Sequence, residues 1–370
     1  MPARVLLLAR YGPLGASSRV RSLQYLPHLA AAGIAVDVAP LFDDGYVARL
    51  YGGRRVRWAS VAASYGRRAL GLLARRRYDV VWVEKELLPW LPAWADLGLL
   101  AGGPRRARLM LDYDDAVYHR YDAHRRRWVR RALGGKIDAL MRAADVVVVG
   151  NGILGERARA AGARRVELLP TVVDTARYAP APRPAGAPFT VGWIGTPRTA
   201  VYLRPLAQAL AGAAAAAAAR IRLIGAAPDT LAGVAGVERH AWSEAGEVAL
   251  LQGLDAGIMP LPDAPFERGK CGYKLVQYMA CGLPVVASPV GVNAELVAHE
   301  QNGLLAETPA EWKAALLRLA GDAALRARMG AAGRRLAVER FSLAAAAPRL
   351  SGLIGELAAR SRRGKARAGA

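Results

Sequence analysis

Val80–Val83 and Val146–Val149 each carry four apolar β-branched or aromatic residues in a row, with no polar position left for a solvent face. A strand apolar at every position is buried on both sides, the condition of a parallel sheet sandwiched between helices. In the first half of the chain this pattern predicts strands at Val5–Ala9, Ala35–Val38, Val80–Val83, Leu109–Asp112, Val146–Val149 and Val166–Leu169. Between them, helical periodicity covers Ser18–Ala32, Ala59–Arg76, His124–Arg142 and Ile153–Ala160, with Pro27 expected to kink the first.

"ARYAPAPRPAGAP", Ala176–Pro188, interrupts the rhythm with proline and no periodicity, and reads as a linker. Beyond it the alternation resumes with "FTVGWIG", "RIRLIGA", "LDAGIMP", "LPVVAS" and "NGLLA", each followed by a helical stretch. Ala211–Ala219 reads as helix, because alanine has the highest helix propensity. The expected architecture is α/β: two Rossmann-like, doubly wound domains facing a cleft. They cover residues 1–175 and 189–342, with the linker at 176–188 and a crossing helix, Leu343–Arg360, before a basic tail within 343–370. A length of 370 residues suits two domains. Ligands in such sheets lie beyond the carboxyl ends of the strands, against helix N-termini, so the cleft is the default site.

No apolar run approaches the ~20 residues of a membrane span. The apolar patch Val5–Ala9 falls short of the ~7–15 residues of a signal-peptide core and reads as the first strand. Two cysteines, Cys271 and Cys281, and five scattered histidines give neither a disulfide framework nor zinc spacing, which fits a reducing cytoplasm. The net charge of +22 is unevenly spread: residues 1–185 hold 31 Lys/Arg against 16 Asp/Glu, residues 186–370 hold 21 against 14. No aromatic–basic RNA motif, zinc finger or helix-turn-helix accompanies that charge, so nucleic acid is not the expected partner. Arginine clusters fall at Arg54, Arg55, Arg57, at Arg67, Arg68, at Arg75, Arg76, Arg77, and at Arg125, Arg126, Arg127, Arg130, Arg131. They fit either a solvated arginine-rich exterior or a basic face for an anionic membrane surface.

Three loops carry the candidate chemistry. "RYGPLGASSRVRS" follows the first strand; Gly12 and Gly15 permit tight turns and Ser17 or Ser18 can cap the next helix, but the glycine spacing is not the dinucleotide fingerprint. "VGWIGTPRTAVYL" places Gly195 after a strand and Arg198 at a helix start, where a guanidinium suits phosphate. In "PFERGKCGYKLVQYMACGLPVVAS", Lys270 and Lys274 flank a helix N-terminus near Cys271 that favours anions, and Gln277 follows Lys274 by one turn. A further glycine turn, "PVGVNAELV", brings Asn293 among the candidate donor contacts. At the end of the fourth predicted strand, Asp112, Asp114 and Asp115 offer hard oxygen ligands to a metal or contacts to a sugar or acceptor hydroxyl. The cationic loops already serve phosphate, so the hydroxyl role is preferred and no metal site is assigned. Glu84, Lys85 and Glu86 end the third strand and are further candidates at the cleft edge.

"QYMACGLPVVASPVGVNAELV…NGLLA" resembles the C-terminal signature of the retaining, family 4-type glycosyltransferases (glycosyl transferases group 1), which have a GT-B fold. "RYGPLGASSRVRSLQYLPHL", "YDVVWVEKELLPWLP", "LDYDDA", "LPTVVDTARY" and "GWIGTPRTAVYL" are similar to one bacterial subgroup of that family. The resemblance implies that Arg198 and Lys274 are the phosphate-binding pair and that Gly15 belongs to the N-terminal glycine loop. It sets Gln277 where the family's ribose-contacting glutamate stands. Gly269 takes the place of the other acid, leaving Glu267 as its substitute toward the donor sugar, and Gly272 fills the expected glycine position. Asp114 and Asp115 stand where the family has a pocket histidine.

The implied activity is transfer of a sugar, with retention, from a nucleotide-diphospho-sugar to a glycan, lipid-linked or small-molecule acceptor. Cell-envelope or exopolysaccharide biosynthesis is the implied setting, in the cytoplasm or on the inner membrane face. The nucleotide sugar is a substrate, and no cofactor is expected. Rival readings are a nucleotide-sugar epimerase or phosphorylase of the same architecture, a non-catalytic nucleotide-sugar-binding module suggested by Gln277, and a nucleic-acid binder.

Overall fold

A computed structural model describes residues 2–54, 57–73, 77–100 and 107–367. The expected arginines 55, 75 and 76 lie outside the described residues, as does the predicted end of the helix at Arg76. The first sheet holds β1 (Ala3–Leu8), β2 (Ile34–Val38), β3 (Val80–Glu84), β4 (Arg108–Tyr113), β5 (Val146–Val149) and β6 (Val166–Leu168). The second holds β7 (Thr190–Ile194), β8 (Arg220–Ile224), β9 (Val237–His240), β10 (Ala256–Met259), β11 (Val285–Ala287) and β12 (Gly303–Leu305). Strand order is β2-β1-β3-β4-β5-β6 in one and β12-β11-β10-β7-β8-β9 in the other. Every pairing is parallel, as the apolar runs require. Val5, Leu7, Val80, Trp82, Val147 and Val286 are fully buried between the helical layers.

The chain divides into two compact units, one of residues 1–171, 269–271 and 346–370, the other of residues 172–268 and 272–345. The strand order of each sheet reverses once, between β1 and β3 in the first and between β7 and β10 in the second. Successive helices leave on opposite faces at such a point, opening a crevice beyond the carboxyl ends of the two strands. Each unit therefore has its own candidate crevice.

Several elements differ from the sequence reading. The helix expected over Ser18–Ala32 is three pieces, Ala16–Arg21, a 3-10 turn Leu23–Tyr25, and Leu26–Ala31. Pro27 sits in the first turn of the last piece, where its missing N–H costs nothing. The helix expected over His124–Arg142 is Arg127–Leu133 and Lys136–Ala143, broken at Gly134–Gly135. The alanine helix begins earlier than read, at Ala207, and ends at Ala216. β9 and the helices Asp44–Tyr51 and Ala93–Leu100 were not anticipated.

The expected basic tail is also corrected, since the last helix runs from Leu343 to Arg367. Leu350, Ile354, Leu357 and Ser361 form a buried stripe at helical spacing. Arg362 Nη2 lies 2.8 Å from Asp79 Oδ2, and Lys365 Nζ donates to the Tyr78 carbonyl at 2.7 Å. These bonds hold the end of the helix on the first unit. Among the described residues no helix is long and apolar enough to cross a membrane.

Candidate functional site

In the first unit, the β1/β3 crevice is lined by a dense network of buried charges. Glu84 closes β3 and accepts from the Arg10 backbone N–H at 2.9 Å and from Ser18 Oγ at 2.5 Å. Glu86 accepts from Arg10 Nη1 at 2.9 Å and from the Tyr121 hydroxyl at 2.8 Å, and lies 2.9 Å from Lys136 Nζ. Burial favours the neutral form of Glu86, but Arg10 and Lys136 outweigh it and hold the carboxyl below its usual range.

Lys85, between these acids, has a left-handed backbone, φ 66°, a conformation that costs a residue with a β-carbon. Its ammonium lies 3.0 Å from Asp114 Oδ1 and 3.7 Å from Asp115 Oδ2, and donates to Ser17 Oγ at 2.9 Å. Ser17 Oγ in turn donates to Asp114 Oδ2 at 2.6 Å. Burial would raise the Asp114 carboxyl, yet Lys85 and Arg21 prevail and leave it at about 2, so it is an anion at neutral pH. Burial likewise would lower Lys85, but Asp114 and Asp115 raise it above the usual lysine value. Asp112 behaves differently. It pairs with Arg21 at 2.8 Å, but burial dominates and lifts its carboxyl to about 6.

The segment 269–271 groups with this unit. Cys271 Sγ donates to the Asp114 carbonyl at 2.9 Å, and Lys270 Nζ lies 3.9 Å from Asp115 Oδ1. A β-carbon on Gly269 would stand 2.5 Å from Ala116 Cβ, so a glutamate does not fit where the family pattern has one. Gly15 begins the Ala16–Arg21 helix and packs on Tyr11, leaving no room for a side chain. Among the described residues no group of three or more His, Cys, Asp or Glu gathers as for a metal. Asp114 is instead held by Lys85 and Ser17.

In the second unit, β7 runs out at Gly195. The turn after it is tied by Thr196 N–H to Thr199 Oγ1 at 3.1 Å and by Thr199 N–H to the Thr196 carbonyl at 3.0 Å. Arg198 sits exposed in that turn. A β-carbon on Gly195 would overlap the Trp193 ring, so glycine is what allows the turn to lie on the indole. Lys274, in the first turn of the helix Tyr273–Ala280, carries its ammonium 5.4 Å from the centroid of the same ring. One indole thus underlies both the turn bearing Arg198 and the Lys274 cation.

Gly272 starts that helix with φ 64°, and a β-carbon there would overlap Leu296. Asn293 is wholly buried beside it, its amide nitrogen 3.5 Å from the Met259 carbonyl and its Oδ1 without a hydrogen-bond partner among the described residues. Glu267 accepts from the Tyr202 hydroxyl at 2.5 Å. Gln277 is buried and donates to the Tyr178 hydroxyl at 3.3 Å. That hydroxyl donates to Glu247 Oε1 at 2.5 Å, and Trp242 Nε1 donates to Glu247 Oε2 at 2.7 Å. A carboxylate therefore stands one hydrogen bond beyond Gln277. Glu247, Tyr178, Trp242 and Tyr202 are not among the sequence-derived candidates: Glu247 and Trp242 lie outside the quoted motifs, and Tyr178 and Tyr202 lie within "LPTVVDTARY" and "GWIGTPRTAVYL" with nothing local to mark a role.

Of the sequence-derived candidates, folding brings together Ser17, Lys85, Asp114, Asp115 and Lys270 in the first unit. In the second it brings Gly195 and Lys274 onto one ring and sets Gly272 beside Asn293. Lys270 and Lys274, close in sequence, belong to different units.

Residues 188–322 match the family model described as Glycosyl transferases group 1. Among solved structures, the chain is similar to sucrose-phosphate synthase from Thermosynechococcus elongatus, with 18% identity, 97% of this chain and 100% of that chain covered, and a TM-score of 0.73. It is also similar to Anabaena HepE in complex with UDP and glucose, with 17% identity, 96% and 100% covered, and a TM-score of 0.69. A third is WaaG, a glycosyltransferase involved in lipopolysaccharide biosynthesis, with 15% identity, 95% and 99% covered, and a TM-score of 0.68. The chain has the GT-B glycosyltransferase fold. The expectation of two Rossmann-like α/β domains is met by its two parallel sheets with flanking helices. No curated protein matches the chain.

Proposed function

We propose that this GT-B chain is a retaining glycosyltransferase of the family 4 type that moves a sugar from a nucleotide-diphospho-sugar to a glycan or lipid-linked acceptor at the inner membrane face. The observation that carries the reading is Lys274 on the Trp193 ring beside the Gly195 turn, at the switch crevice of the unit that contains most of the group 1 match. A diphosphate leaving the anomeric carbon gathers negative charge. Lys274, Arg198 and the N-terminus of the Tyr273–Ala280 helix offset that charge most when it is greatest, which is in the transition state. Anabaena HepE, a structure of the same fold, is described in complex with UDP and with UDP-glucose, which favours a donor of that class.

In the first unit, Asp114 is an anion fixed by Lys85 and Ser17, suited to accept a hydrogen bond from an acceptor hydroxyl. Asp115, less buried and near Lys85 and Lys270, is assigned the same class of contact. Glu267, oriented by Tyr202, is assigned to donor-sugar hydroxyls. Thermal-shift screening with UDP-, GDP-, ADP- and dTDP-sugars tests the donor assignment, and one of them must raise the melting temperature. A second reading, binding without transfer, draws on Gln277, whose place in the family pattern is an acid. Donor binding with no transfer to any acceptor would favour it.

A further inference from the structure

The eight tryptophans divide sharply by exposure. Trp82, Trp193 and Trp312 are fully buried and Trp242 half-buried, whereas Trp58 is 83% exposed, Trp90 52%, Trp94 74% and Trp128 61%. All four exposed indoles belong to the first unit. Two of them, Trp90 and Trp128, neighbour the densest run of positive charge, and Trp94 follows Trp90 four residues later. Trp90 packs edge-on against His124, with centroids 5.8 Å apart, and Leu91 and Trp94 follow it into the Ala93–Leu100 helix. His124 opens the segment "HRRRWVRR", whose Arg130 folds back to donate to the His124 and Arg125 carbonyls.

In the Arg127–Leu133 helix, Val129 and Leu133 face inward, and this turns Arg127, Trp128, Arg130 and Arg131 outward. Arg125, Arg126, Arg127, Arg130 and Arg131 are all exposed, and none forms an ion pair with a described acid. The nearby carboxylates are engaged elsewhere: Asp122 with His119 and Arg157, Asp138 with Arg157, Asp96 with Lys136. An exposed indole has no place in a solvated exterior that needs only charge. Indole and arginine together suit the headgroup region of a bilayer, apolar body inward and cation on phosphate.

We infer that the face formed by Trp90, Trp94, Trp128 and the arginines of residues 125–131 docks on an anionic phospholipid surface. The docking is read from the surface alone. It rests on the transferase reading only for its purpose, which is to bring a lipid-linked acceptor to the first unit.

The test is co-sedimentation of the full chain with phosphatidylcholine vesicles, without and with phosphatidylglycerol, while indole emission is followed. Binding and a blue shift are expected only with the anionic lipid, weakening as salt screens the charge. Because the side chains are exposed, substitution leaves the fold intact. R126Q/R127Q/R131Q should bind about a hundredfold more weakly, at about fivefold per arginine. W94A/W128A should lose most of the blue shift along with affinity. Equal binding to neutral vesicles, unchanged binding of the arginine variant, or self-association that depends on Trp94 and Trp128 would each overturn the inference. A chain that binds vesicles but shows no thermal shift with any nucleotide sugar would leave the docking intact and remove the transferase reading.

Discussion

Lys85→Met removes a charge and keeps the β-carbon and stem in the same left-handed backbone position, so backbone strain cancels between the two proteins. What remains is a buried Asp114 whose closest cation, 3.0 Å away in the wild type, is gone. Breaking a buried pair from one side costs about 3–5 kcal/mol, because the surviving charge stays desolvated. Arg21, which also pulls Asp114 down, keeps the loss toward the lower end. The pH dependence follows from the carboxyl. In the wild type its folded value, about 2, is below the ordinary 3.8. That stability is fully present above 3.8 and is lost only as pH falls through about 2. In the variant Arg21 and Ser17 still oppose burial, but without Lys85 burial prevails and the folded value rises above 3.8. Asp114 then favours the folded state when protonated, and stability is lost as pH rises through the new value. Urea unfolding at about pH 5 and about pH 8 should show the gap between wild type and K85M widening with pH. K85M/D114N, in which the buried Asp114 charge is gone as well, should recover most of the loss and flatten the dependence, leaving only the more exposed Asp115 without Lys85. A K85M cost below about 1 kcal/mol, or one that does not change with pH, or no rescue by D114N, would refute the account of this crevice.

Gly272→Ala should destabilise the second unit by about 1–3 kcal/mol in urea unfolding, since it strains a φ of 64° and forces a methyl onto Leu296. Gln277→Glu restores the family's acid, but buries it against a Tyr178 hydroxyl whose proton already goes to Glu247. A stability loss of about 1–3 kcal/mol with no gain in sugar transfer is expected; a stable, faster variant would show that Gln277 limits the reaction.

The two sheets were legible because their strands are apolar on both faces; "VVVV" and "VVWV" admit little else. β9 escaped because "VERH" is a half-exposed edge strand with no apolar run to mark it. The end of the last helix escaped because its stripe, Leu350 to Ser361, is hidden among arginines, and its anchor, Asp79, is remote in sequence. Gly195 and Lys274 were found because strand ends and helix starts mark them locally. The Lys85–Asp114 pair was visible only as separate candidates. Pairing of Glu84 with Asp112 in the register of β3 and β4 makes the following residues neighbours. The Gln277–Tyr178–Glu247 chain joins three distant segments and carries no local signal.

In the transferase reading, the second unit grips a diphosphate through Lys274 and the Arg198 turn. Calorimetric titration of wild type and Lys274→Ala with UDP, GDP, ADP and dTDP addresses it directly. For whichever nucleotide binds, the variant should lose about 1.5–3 kcal/mol, or about ten- to 150-fold in affinity. Unchanged affinity in a folded variant, or a wild-type chain that binds none of the four, would contradict it.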